Sequence, residues 1–103
     1  MKKLITSAFC CLMILACAGK DKPATSPDDV AAGEQIYKKF CILCHGADGK
    51  LGINGAKDIT VSALTLEERV ALINTGKTLM TPFEGILTPD QMKAVASYTM
   101  TLK

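Results

Sequence analysis

The sequence predicts a small all-α domain with about three main helices joined by long loops. Three segments, at residues 28–40, 65–76 and 88–103, combine helical spacing of apolar residues with helix-capping residues at their starts. No segment shows the alternation of apolar and polar residues that is typical of a half-buried strand. The stretches between, residues 46–60 and 76–87, are glycine-rich and long for a compact domain, which indicates that they bind or enclose something.

The N-terminal segment, residues 1–16, has the pattern of a signal peptide. Two lysines precede an apolar run that is too short to span a bilayer comfortably and has the length of a signal-peptide core. A permanent anchor helix is the alternative, but small residues and a polar tract follow the run at once. We therefore predict an exported protein, in a compartment where free thiols are oxidised.

The end of this segment suggests lipid attachment. The residues I-L-A-C, 14–17, resemble a bacterial lipobox, in which the cysteine, here Cys17, is lipidated and becomes the new N-terminus. Ordinary cleavage after Ala18 is the competing interpretation, since A-C-A has the small-x-small form. The lipobox is favoured because it gives a reason for the cysteine. It predicts a chain anchored by lipid to a membrane, on the periplasmic side.

The mature chain divides into a tether and a folded unit. Residues 17–27 are small, charged and proline-punctuated, and predict a flexible tether of about 15–20 Å. Residues 28–103 form the predicted domain, which is short enough to need a cofactor, metal or disulfide for stability. Loss of residues 1–16 removes two of the twelve basic residues and none of the ten acidic ones, which leaves no net charge. Without a basic run, nucleic acid is not an expected partner.

The three helices have distinct start signals. Asp28 or Asp29 is the predicted N-cap of the first, and Gly33 inside it, which costs about 1 kcal/mol relative to alanine, indicates that another helix crosses closely. The second begins with a capping box of Thr65 and Glu68 and stops at a glycine. The third begins T-P-D-Q at residue 88, with threonine as N-cap and proline at the first position, and runs to the chain end.

The sequence C-I-L-C-H at residues 41–45 admits three kinds of site. A structural zinc ion needs four ligands, and only Cys41, Cys44 and His45 are available in the folded part. A redox dithiol normally lies at a helix start after a strand, whereas this motif follows a helix. Two thiols at this spacing can instead add to the two vinyl groups of one haem, with the adjacent histidine as an axial ligand of its iron. This interpretation explains every part of the motif.

A haem at this motif predicts a second axial ligand on a loop far along the chain. Met92 and Met100 lie on the last predicted helix, where methionine usually fills the core. Met80 lies in a loop two residues before Pro82, and the proline stiffens that loop. Met80 is therefore the predicted second ligand. A Met/His pair raises the iron potential and fills both axial sites, so such an iron carries electrons and binds no substrate.

Together these residues resemble the class I c-type cytochromes of the short bacterial monohaem type, over essentially all of residues 28–103. The resemblance rests on the following positions: Gly33, Tyr37, Cys41, Cys44, His45, Met80, Pro82, Val95 and Tyr98. It implies a small cytochrome c fold, with loops wrapped around one covalently bound haem c and the first and last helices crossing at the glycine. It also implies that the two tyrosines are structural.

The sequence departs from the family pattern at two places. Thr81 stands between Met80 and the proline that often follows the methionine directly. A family proline whose carbonyl accepts a hydrogen bond from the axial histidine is missing, so we predict that a backbone carbonyl near Ala56 or Lys57 takes that role. Arg69 and Lys57 are candidates to bind the haem propionates.

The expected function is electron transfer without enzymatic activity. We expect a monomeric one-electron carrier between membrane respiratory complexes, accepting from a membrane donor complex and passing to a terminal oxidase or reductase. A small peroxidase-like haem enzyme, which would need an open axial site, and a haem-based sensor are the alternatives. Four lysines near the motif and loops could steer an acidic partner, but in a near-neutral domain ordinary solvated lysines are the favoured interpretation.

Overall fold

The computed structural model describes residues 26–103, and the predicted signal segment, Cys17 and most of the tether lie outside them. Within these residues, four α-helices follow one another: α1 (Pro27–Phe40), α2 (Ile42–His45), α3 (Leu66–Thr75) and α4 (Pro89–Thr99). Two 3₁₀ turns, Ile53–Gly55 and Ile59–Val61, lie in the long loop before α3. The described residues contain no strand, only two isolated bridges, so the all-α prediction is confirmed.

Helix α1 starts earlier than predicted. Ser26 is its N-cap, with a side-chain oxygen that accepts a hydrogen bond from the Asp29 N–H at 3.1 Å, and Pro27 takes the first helical position. The prediction that Asp28 or Asp29 caps the helix was therefore wrong. Proline suits the first position because the N–H that it lacks would have no partner inside the helix there. The two aspartates lie in the first turn, at the positive end of the helix dipole.

The start signals of the other two long helices are confirmed. In α3, Thr65 and Glu68 form both hydrogen bonds of the capping box, at 2.8 and 3.2 Å. In α4, Thr88 and Gln91 do the same, at 2.9 and 3.2 Å. The end of α4 was predicted wrongly: it stops at Thr99, four residues before the chain ends. The chain then continues as a turn, with a hydrogen bond from the Thr101 N–H to the Tyr98 carbonyl at 2.9 Å.

The crossing of α1 and α4 forms the centre of the core. A Cβ atom on Gly33 would lie 2.0 Å from the Ala94 carbonyl oxygen, so only glycine allows this approach. One turn later, the ring of Tyr37 packs against Tyr98 with centroids 5.1 Å apart. The Tyr37 hydroxyl donates to the Gly46 carbonyl at 2.6 Å, which ties α1 to the segment after α2. The predicted helix crossing is confirmed, and both tyrosines are packed in it.

Candidate functional site

The C-I-L-C-H motif forms a one-turn helix of its own. Cys41 ends α1 and caps α2, and its carbonyl accepts hydrogen bonds from the N–H groups of Cys44 at 3.3 Å and His45 at 3.0 Å. This turn places both cysteine side chains in the wall of one cavity of about 640 Å³. Both are half-buried and neither forms a disulfide. The sequence analysis did not predict α2, because four residues are too few for a periodic signal.

The two other interpretations of the motif gain no support from the structure. Burial, with a contribution from Cys44, raises the pKa of the Cys41 thiol to about 11. A reactive redox dithiol needs the opposite shift, since the thiolate is the reactive species. Within residues 26–103, no group of three or more histidine, cysteine, aspartate or glutamate side chains is arranged to hold a metal ion. The described part of the chain therefore offers no set of such side chains that could ligate a zinc ion.

His45 is oriented by a backbone carbonyl. Its Nδ1 atom lies 3.1 Å from the Lys57 carbonyl oxygen, in the loop between the two 3₁₀ turns. A carbonyl can only accept, so Nδ1 carries the proton and Nε2 is left with a free lone pair for a metal. This contact lies where the sequence analysis expected an acceptor, near Ala56 or Lys57. Such a bond fixes the ring and raises its basicity as a ligand.

Met80 is presented by a tight turn that starts at the end of α3. The backbone N–H groups of Lys77 and Met80 each donate to the other residue's carbonyl, at 3.3 and 2.9 Å. Gly76 enters this turn with φ +66°, and a Cβ atom there would lie 2.5 Å from the Met80 carbonyl oxygen. The Met80 side chain packs partly against the core and lines the same cavity as the two cysteines. The turn therefore fixes the methionine at the wall of this cavity.

The other methionines of the described chain lie elsewhere. Met92 on α4 is 4% exposed and belongs to the core, as its helical position predicted. Met100, which caps the end of that helix, is 44% exposed. Neither lines the cavities around the motif. Thus the structure brings Cys41, Cys44, His45 and Met80 together and leaves the remaining two methionines apart.

The crevice between these residues has two adjoining parts. The larger cavity of about 640 Å³ holds both cysteines, and a second of about 410 Å³ extends away from them. Five residues line both parts: His45, Lys57, Leu64, Leu72 and Met80. Both volumes fall within the roughly 300–1,000 Å³ of ligand pockets. A crevice lined by two thiols, an imidazole with a free nitrogen and a thioether fits a haem.

Arg69 on α3 is a buried cation in the wall of the smaller cavity. It is 8% exposed, and burial lowers its pKa. Its Nε donates to the Leu64 carbonyl at 3.1 Å, one Nη to the Thr99 hydroxyl at 3.0 Å and the other to the Ser62 carbonyl at 3.2 Å. The sequence analysis named Arg69 as a candidate, but its ties to α4 and to the loop before α3 had no signal in the sequence.

Comparisons with known proteins identify the family. A family model described as "Cytochrome C oxidase, cbb3-type, subunit III" matches residues 28–98. Cytochrome c6 of Leptolyngbya boryana is 38% identical over 78 residues, which are 70% of this chain and 91% of that protein. The chain belongs to the class I c-type cytochromes. As a member of this family, the cytochrome binds one haem c covalently and transfers electrons, as the resemblance implied.

Solved structures place the cytochrome in the same fold. Cytochrome c6 from the diatom Phaeodactylum tricornutum is 31% identical, with a TM-score of 0.62, over 70% of this chain and 91% of that chain. A protein titled KustC0563 c-type cytochrome is 30% identical with the same TM-score, over 69% of this chain and 96% of that chain. Within residues 26–103 of this cytochrome, no helix has the length and hydrophobicity needed to cross a bilayer.

Proposed function

We propose that the cytochrome is a one-electron carrier whose haem is attached through thioethers of Cys41 and Cys44 and whose iron is ligated by His45 and Met80. One observation carries the proposal: His45 and Met80, far apart in sequence, line the same two adjoining cavities. The two cysteines lie in the wall of the larger cavity. All four groups that such a site needs therefore lie around one crevice.

The protein's own residues keep this site closed and in place. The Lys57 carbonyl holds the His45 ring, and the turn after Gly76 holds Met80 against the core. The haem supplies a one-electron change at its iron. His45 and Met80 would both ligate the iron of such a haem and would leave no position open to a substrate, which favours a carrier over a peroxidase-like enzyme.

Covalent attachment is tested by peptide mapping. The protein is produced in cells with a haem-attachment system, digested, and analysed by mass spectrometry. We expect one haem on the peptide that contains both cysteines, and loss of covalent haem from a double variant with Cys41→Ser and Cys44→Ser. Haem that stays bound to the double variant after denaturation would contradict the proposed thioethers.

Electron transfer is tested by redox titration and by a peroxide assay. We expect a single one-electron transition and a slow reaction with hydrogen peroxide, which rises at least about tenfold in Met80→Ala because one axial position opens. A peroxidase-like enzyme would show a fast reaction in the unmodified protein and no gain in the variant. Equal rates in the two proteins would exclude Met80 as a ligand.

We also propose that the cytochrome is exported, anchored by lipid at Cys17, and monomeric between a membrane donor complex and a terminal oxidase or reductase. The apolar run over residues 4–16 and the lipobox-like residues 14–17 support the anchor. The family description, which names an oxidase subunit, supports the acceptor. Mass spectrometry of detergent-extracted protein should find a diacylated Cys17 at the N-terminus. An unmodified N-terminus at Gly19 would show ordinary cleavage instead.

A further inference from the structure

Thr78 has a backbone conformation that its side chain opposes. Its φ angle is +55°, in the left-handed region, and in residues 26–103 only Asn54 shares a positive φ among residues other than glycine. Asparagine tolerates this region because its short polar side chain can hydrogen-bond locally, whereas a β-branched residue such as threonine is an outlier there. The structure around Thr78 must therefore hold it in this strained conformation.

The strained residue lies in the turn that presents Met80. The backbone groups of Lys77 and Met80 bond to each other at 3.3 and 2.9 Å, so Thr78 and Leu79 are the two central residues of the turn. A positive φ at Thr78 but not at Leu79 is the pattern of a type II′ turn, in which glycine is preferred at the first central position. Threonine therefore occupies a position that suits glycine.

The turn is fixed at its two ends and not at its centre. On one side, the Gly76 N–H donates to the Leu72 carbonyl at 2.8 Å, and on the other, the Phe83 N–H donates to the Ile73 carbonyl at 2.9 Å. The Thr78 side chain is exposed, and its hydroxyl has no hydrogen-bond partner in the described part of the chain. Between the fixed ends, residues 77–82 can therefore change conformation together.

Met80 is the residue that holds the turn closed from within the crevice. Its side chain packs partly against the core and lines both cavities, whereas residues 77–79 and 81–82 are exposed. The seated Met80 side chain therefore keeps Thr78 at its positive φ. When Met80 leaves the crevice, residues 77–82 can rearrange and Thr78 can return to a negative φ, so the strain lowers the free energy needed to release Met80.

We propose that Thr78 is a positioning residue that makes Met80 a releasable ligand, because the strain at Thr78 is present when Met80 is seated and is relieved when Met80 leaves. The proposal rests on the Met80 ligation proposed above. A small external ligand should therefore displace Met80 more easily than it would with an unstrained turn. A residue that favours a positive φ at position 78 should make Met80 harder to displace.

The test is a titration of the oxidised holoprotein with imidazole, which competes with Met80 for the iron and removes the far-red band of methionine ligation. Thr78→Asn suits a positive φ, so we expect the dissociation constant for imidazole to rise about fivefold, which is about 1 kcal/mol. Thr78→Val is the matched control. It keeps the branched Cβ and removes only the hydroxyl, so the constant should stay within about twofold of that of the unmodified protein.

Two results would overturn the proposal. One is an unchanged dissociation constant in Thr78→Asn, and a raised melting temperature of that variant would then show that the strain persists whether or not Met80 is seated. The other is an equal rise in Thr78→Asn and Thr78→Val, because loss of the hydroxyl would then explain the change. A far-red band that is missing from the unmodified protein would instead show that the Met80 ligation is wrong, and this proposal with it.

Discussion

Tyr37 shows how one side chain joins the helix crossing to the haem motif. Its ring packs on Tyr98, and its hydroxyl donates to the Gly46 carbonyl, next to His45. Burial, the largest cause, raises its pKa to about 12, with smaller contributions from Tyr98 and Asp48. The neutral phenol is therefore the form that the fold stabilises.

Tyr37 should make the stability of the cytochrome fall at high pH. Its pKa in the unfolded chain is about 10, so the native state holds the proton more tightly between about pH 10 and 12. Its contribution is complete below pH 10 and is lost as the pH rises through 12. Denaturant unfolding of the holoprotein at several pH values should show this fall, and Tyr37→Phe should reduce it. An equal fall in both proteins would assign the effect to other groups.

At the residue scale, the sequence contains clear signals for the candidate haem ligands but weak ones for the backbone groups that hold them. Cys41, Cys44 and His45 follow from a motif whose spacing matches one cofactor, and Met80 follows from its place in a loop. The Lys57 carbonyl has no side-chain signature, since every residue has a carbonyl and only the path of the chain selects this one. The sequence analysis predicted an acceptor carbonyl near Ala56 or Lys57 but could not decide between these two residues.

At the scale of helices, α1 and α4 approach closely where Gly33 meets Ala94. Gly33→Ala places a methyl group inside the radius of the Ala94 carbonyl, so the two helices must move apart. We expect a loss of about 3 kcal/mol, near the upper end for overpacked cores. Ala32→Ser, at an exposed neighbouring position, should change the free energy of unfolding by about 0.5 kcal/mol. Urea unfolding measures both, and similar losses would contradict the tight crossing.

Helix boundaries were predictable where a single local signal marks them, as at Thr65, Thr88 and the stop at Gly76. The capping boxes at Thr65 and Thr88 are local patterns of side chain and backbone, so the sequence contains their whole signal. The end of α4 lacks such a pattern, because no glycine or proline follows Thr99. At α1 the sequence analysis named Asp28 or Asp29, and Ser26 caps the helix instead because Pro27 fits the first helical position.

At the scale of the whole molecule, the crevice divides what is otherwise a small core. Cavities of about 410 and 640 Å³ separate the motif and its loops from α3 and the Met80 turn. The described part has 78 residues, from 26 to 103, and a domain of this size buries little apolar surface on its own. A haem in this crevice would therefore supply a large part of the core as well as the chemistry.

Without haem, the cytochrome should lose its cooperative fold. We expect the double variant with Cys41→Ser and Cys44→Ser, purified free of haem, to show a much weaker helical circular dichroism signal and no sharp thermal transition. The reason is that empty apolar cavities of this size destabilise a core in proportion to their volume. The unmodified holoprotein is the control. A haem-free variant that melts as sharply as the holoprotein would contradict this role of the cofactor.

The central claim is that the site combines the motif at residues 41–45 with a methionine in a distant loop, and one spectrum tests it most directly. The oxidised holoprotein should show the weak far-red absorption band of methionine ligation to ferric haem. Met80→Ala should abolish that band and keep the covalent haem, while Met100→Ala, at an exposed position outside the crevice, should retain it. A band that persists in Met80→Ala, or is absent from the unmodified protein, would contradict the proposed His45–Met80 ligation.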